Sequence, residues 1–159
     1  MRPTSLRLLA VYAALAGAVG YVGASLWDAL TGSPPGVPVT APAMLLLLAA
    51  GFALAAYALR PRIAREEGHQ PLDPFKAART AMLAVAGSRA GAAMFGLYGG
   101  YAVFLLVDLA NPFRRRTLLV AGLAALAAAA MSAAALWLER VCRVDPPEED
   151  PGAGAAPAA

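Results

Sequence analysis

Charge is scarce in this chain of 159 residues: Asp, Glu, Lys and Arg together make up 14%, against about 25% in an ordinary soluble domain. Cysteine and histidine occur once each, as Cys142 and His69. A single cysteine excludes an internal disulfide, a thiolate metal cluster and a CxxC redox pair. A single histidine excludes any site built from several imidazoles. Lysine is nearly absent as well, with arginine outnumbering it twelve to one. That skew fits a GC-rich genome and carries no functional weight. What fills the sequence instead is apolar: 60% is hydrophobic, 41 residues are alanine, and the mean hydropathy is +0.60. Such a composition excludes a disordered chain and an ordinary cytosolic domain, and it points to a membrane.

A bilayer core of about 30 Å takes roughly 20 apolar residues in helical form. Four runs meet that need, at 8–27, 43–59, 81–107 and 117–138, and only Arg89 interrupts them. No stretch alternates at period 2 long enough for a barrel, so the expected fold is an all-α membrane protein, a four-transmembrane-helix bundle. The membrane domain covers 1–144. Between the runs lie a segment at 31–42 with four prolines and two glycines, a charged segment at 60–73, and a break at Asn111-Pro112. Residues 145–159 carry Asp145, Glu148, Glu149 and Asp150, then only Pro, Gly and Ala, and are expected to be a disordered tail. Arg2, Arg7 and the small residues Val22-Gly23-Ala24 resemble a signal peptide. The first run, however, exceeds the usual 7–15-residue apolar region, and Trp27 stands where an interfacial anchor belongs. An uncleaved first helix is expected.

Basic residues in short loops set orientation. With both termini inside, the cytoplasmic side holds nine of them, at 2, 7, 60, 62, 65, 76, 79, 140 and 143, and the outside holds three, Arg114, Arg115 and Arg116. The expectation is therefore N-in and C-in, in the plasma membrane, with the arginine triplet violating the rule.

Few residues invite a specific role. Arg89 is the one ionisable residue inside an apolar run, which marks it as a functional or interfacial candidate. Asp73-Pro74 reads as an N-cap and first helical residue. A helix starting there would exceed 30 residues and would bring Arg89 close to the inner surface. Small residues recur at helical spacing: Gly20 with Ala16 and Ala24 on the first helix, and Gly87, Gly91, Gly96 and Gly100 on the third. In lipid, small residues let backbones approach. The pattern serves either a homodimer face or packing within one bundle, and the second is expected, with short connections making chain neighbours antiparallel. Asp28, Asp108 and Glu139 each fall just past a run and are expected to be solvated. Cys142 is juxtamembrane, a position that permits S-acylation.

The order of pieces is also familiar. Leu72-Asp73-Pro74-Phe75-Lys76-Ala77-Ala78-Arg79-Thr80 opens the third helix, and Gly91-Ala92 and Gly96-Leu97-Tyr98-Gly99-Gly100 follow within it. Leu138-Glu139-Arg140-Val141-Cys142-Arg143-Val144 closes the chain before the acidic tail. On these residues the sequence resembles the actinobacterial integral membrane proteins of domain-of-unknown-function family 3180, over nearly the whole chain to about residue 150. One departure is Val85-Ala86-Gly87, where the family often has a polar residue before an Ala-Ser pair. The resemblance implies a four-helix integral membrane protein of actinobacterial source and carries no assigned chemistry.

No nucleophile–base pair, metal-ligand set or phosphate-cradling loop is present, so no catalytic, cofactor or metal residues are expected and the chain reads as a non-enzyme. The leading expectation is an accessory or scaffold protein acting by helix–helix association. The alternative is a subunit of a small oligomeric channel or transporter. Expected partners are membrane lipids and other membrane proteins, in homo- or hetero-oligomers, and not nucleic acid.

Overall fold

The computed structural model describes residues 6–63 and 74–142; His69 and the tail at 145–159 lie outside them. The described residues form four helices, α1 (Leu6–Thr31), α2 (Thr40–Ile63), α3 (Pro74–Leu105) and α4 (Pro112–Val141), and no strand. All four are long and apolar enough to cross a membrane.

α1, α2 and α4 outrun their apolar segments at both ends, while α3 starts earlier and stops two residues short of its own. Polar or turn-forming residues cap the end of α1 and the start of α4. α1 stops at Gly32, whose φ of 71° is the left-handed conformation that glycine adopts without strain. Its N–H donates to the Asp28 carbonyl at 2.8 Å, an αL cap that satisfies one of the last free carbonyls. α3 begins at Pro74 and runs 32 residues. It ends at Leu105, where the Leu106 N–H is shared between the carbonyls of Ala102 and Val103. α4 starts at Pro112, ahead of its apolar run. The Asn111 side chain accepts from the Phe113 N–H at 2.9 Å, and proline fills the first turn, where its missing N–H costs nothing. The Asn111-Pro112 break is thus also a helix start, and Arg114, Arg115 and Arg116 ride on that helix.

α3 and α4 form the centre. α1 packs on α3, α2 packs on α4, and α3 packs on α4. The flanks are barely covered: the apolar windows of α1 and α2 are 17% and 11% buried, against 33% and 39% for α3 and α4. Along the α1–α3 seam Ala13 faces Gly96 and Gly17 faces Gly100, so these two helices run parallel. The helices alternate in direction, so chain neighbours are antiparallel as expected, but α1 and α2 share no comparable packing. The proline-rich linker accounts for this: eight residues of extended proline-rich chain reach roughly 25 Å at about 3.1 Å each, enough to cross the end of α3.

Two apolar clusters close the bundle. At one end, hereafter the Asp28 end, Ala24, Tyr101, Phe104, Leu105 and Ala121 pack with Val37 of the linker. At the other, the Cys142 end, Ala56, Ala84, Leu138 and Cys142 pack with Phe52 and Leu59. The buried stripe of α4 is largely alanine, including Ala121, Ala124, Ala128 and Ala135. Lipid tails are as apolar as any side chain, so close backbone contact, not burial from water, holds such helices together.

A candidate functional site at the Asp28 end

The Asp28 end holds an ion pair that joins two helix ends. Asp28 sits in the last turn of α1 and Arg114 in the first turn of α4, and Arg114 Nη2 donates to Asp28 Oδ2 at 2.8 Å. Alone, each charge is badly placed. A carboxylate opposes the negative end of the α1 dipole, and a guanidinium opposes the positive end of α4. Paired, each offsets the other, and with side chains only 14% and 23% exposed the pair is sheltered from solvent screening. The Arg114 guanidinium also lies 5.4 Å from the centre of the Phe104 ring, within cation–π range. Phe104 in turn meets Tyr21 edge to face, with ring centroids 6.0 Å apart.

Below this group, the Tyr101 hydroxyl donates to the Pro35 carbonyl, which ties the linker across the end of α3. α1, α3, α4 and the linker therefore meet in one clasp. Its carboxylate, guanidinium and phenol all have partners, so it holds elements together and offers no free base or nucleophile. Every buried side-chain nitrogen or oxygen among the described residues has a hydrogen-bond partner. One of these bonds joins helices in mid-bundle: Ser132 Oγ donates to the Ser88 carbonyl at 2.9 Å. No group of three or more His, Cys, Asp or Glu able to hold a metal occurs among the described residues.

The residues singled out from the sequence fall elsewhere. Gly20, Gly96 and Gly100 line the α1–α3 seam, where a Cβ would overlap the carbonyls of Leu97, Ala13 and Gly17 respectively. Gly91 lies against Ser132 and the Ala128 carbonyl of α4, and Gly87 lies under the Phe52 ring of α2. These five glycines serve contacts within one chain. Arg89 is exposed on α3.

Two expectations of solvation are corrected. Asp28 is ion-paired, and Glu139 is buried on α4; both belong to helices that extend past their apolar runs. Cys142 is also buried, which pushes its thiol pKa up by desolvation and leaves it a poor thiolate. The clasp was missed at the sequence level. The available signal was a pair of opposite charges, Asp28 and Arg114, at two helix ends assigned to the same side.

Four apolar helices, with every buried side-chain nitrogen and oxygen among the described residues hydrogen-bonded, define a multi-pass, all-α membrane protein. The chain belongs to the family described as Protein of unknown function (DUF3180), whose model matches residues 9–146. No curated protein and no solved structure matches it.

Proposed function

We propose that this protein is a non-enzymatic accessory or scaffold protein of the plasma membrane, acting by helix–helix association with another membrane protein. The observation that carries this reading is the contrast between interior and flanks. Inside, Asp28, Arg114, Tyr101, Ser88 and Ser132 are all engaged with one another or with backbone, and none is left free to pass an ion or a proton. Outside, α1 and α2 each pack mainly on one neighbour and leave long apolar faces uncovered. The clasp and the tied linker hold α1 in a fixed pose against α3. A preset flank binds a partner helix without an ordering cost at the moment of association.

The test is in-cell crosslinking followed by gentle extraction and the mass of the intact complex. A stoichiometric foreign subunit is the expected result. A defined homo-oligomer with no foreign subunit would transfer the argument to the channel or transporter reading, and a lone monomer would overturn both.

A further inference from the structure

Arg89 is a charge within an apolar run that the bundle itself does not use. Intramembrane arginines normally face the bundle interior or pair with another polar group. Arg89 does neither: its side chain is exposed, and among the described residues no hydrogen bond, ion pair or ring contact reaches it. It lies seven residues before Gly96 and eleven before Gly100, so it shares the α3 face that meets α1. The offset that sets Ala13 against Gly96 carries Arg89 to the level of Leu6, the first described residue of α1 and just outside that helix's charge-free run.

On the other side the apolar wall continues further. Ser132 bonds the Ser88 backbone, and Arg140 comes eight residues later, about 12 Å at 1.5 Å per residue. Phe52 covers Gly87, and Arg60 is likewise eight residues on, again about 12 Å. Arg89 therefore stands at the foot of the α1–α3 seam, level with Arg7, the charge that ends the apolar run of α1. Helical side chains lean toward their helix N-terminus, which for α3 is the Cys142 end and the nearer headgroup layer.

A second copy of the chain in the same orientation does not supply a counter-charge among the described residues. Asp28 is paired at the far end, Asp108 lies at that end too, and Glu139 is buried within its own chain.

We propose that Arg89, at the foot of the α1–α3 seam, binds the phosphate of an anionic phospholipid in the leaflet at the Cys142 end. A phosphate oxygen accepts from the guanidinium, and the acyl chains lie against the exposed apolar side chains of α1 and α3 toward the bilayer centre. This goes beyond the scaffold reading and does not depend on it.

The experiment uses the full chain, purified and delipidated, with binding of phosphatidylglycerol and phosphatidylcholine compared by native mass spectrometry of lipid adducts. Variants are Arg89→Gln, the charge-preserving Arg89→Lys, and Arg116→Gln, an exposed arginine at the opposite end. Arg89→Gln should lower the preference for phosphatidylglycerol by about fivefold, the equivalent of roughly 1 kcal/mol per basic residue near the surface. Arg89→Lys should keep most of it, and Arg116→Gln all of it. Circular dichroism keeps a misfolded variant from counting, and Arg89→Lys against Arg89→Gln then separates charge from packing. An unchanged preference in Arg89→Gln, or an equal loss in Arg116→Gln, would overturn the proposal. So would loss of a co-purifying protein subunit in Arg89→Gln with lipid preference intact, since Arg89 would then pair with a partner's carboxylate.

Discussion

At the scale of single residues, glycine position matters more than glycine count. Gly96 and Gly100 sit where a side chain would enter the carbonyls of Ala13 and Gly17, whereas Gly99, between them on the same helix, has open space around its missing Cβ. Backbone cannot move aside as a flexible side chain can, so Gly96→Val and Gly100→Val must push α1 off α3, at a cost of about 1–3 kcal/mol, typical of overpacking. Gly99→Ala should leave stability unchanged or slightly raised, because alanine is the better helix former. Unfolding in mixed SDS micelles measures all three, and equal losses at 96, 99 and 100 would contradict the seam. The small-residue spacing was legible in the sequence, since in lipid only small side chains permit this approach. Which helix fills each gap was not: an alanine-rich helix is nearly as apolar on every face, so its pattern names no partner.

At the scale of elements, the helix ends separate what composition reveals from what contacts reveal. Hydropathy finds the spans but stops at the first charge. α4 therefore reads as starting at Thr117, although Asn111 caps it and Pro112 opens it. The arginine triplet looks like a breach of the inside-positive rule when seen as a loop. Seen as the first turn of α4, one of its members is a partner for the carboxylate at the end of α1. That pairing joins positions 86 residues apart, and no local pattern encodes such a distance. Because the pair is sheltered, Asp28→Asn and Arg114→Gln should each cost about 1.5–3 kcal/mol, the range for hydrogen bonds to charged groups. The double variant should lose clearly less than the two losses added, since each single change strands the other charge. A coupling energy near zero in that cycle, as exposed surface pairs often give, would reduce the clasp to a coincidence of two neighbouring side chains.

At the scale of the whole molecule, parallel α1 and α3 put the described ends Leu6 and Cys142 on one side and the Asp28–Arg114 clasp on the other. Arg7, Arg60, Arg79 and Arg140 all lie toward the Cys142 end, which favours that end as cytoplasmic under the rule for basic loops. The natural thiol is a poor reporter of this orientation. Cys142 is buried against Ala56, Ala84 and Leu138, and desolvation raises its pKa, so at neutral pH it holds even less of the thiolate that reacts with a maleimide. Low labelling there would follow from burial on either side of the membrane. Exposed positions serve better. Gly36, in the linker, has open space about its Cβ, and Arg79 is exposed on α3 near the other end. In a Cys142→Ala background, Gly36→Cys should react with an impermeant maleimide in intact cells, and Arg79→Cys only after permeabilisation. The reverse pattern would invert the protein in the membrane. It would also put the anionic-lipid site of Arg89 in the outer leaflet, while leaving the bundle, the seam glycines and the clasp as they stand.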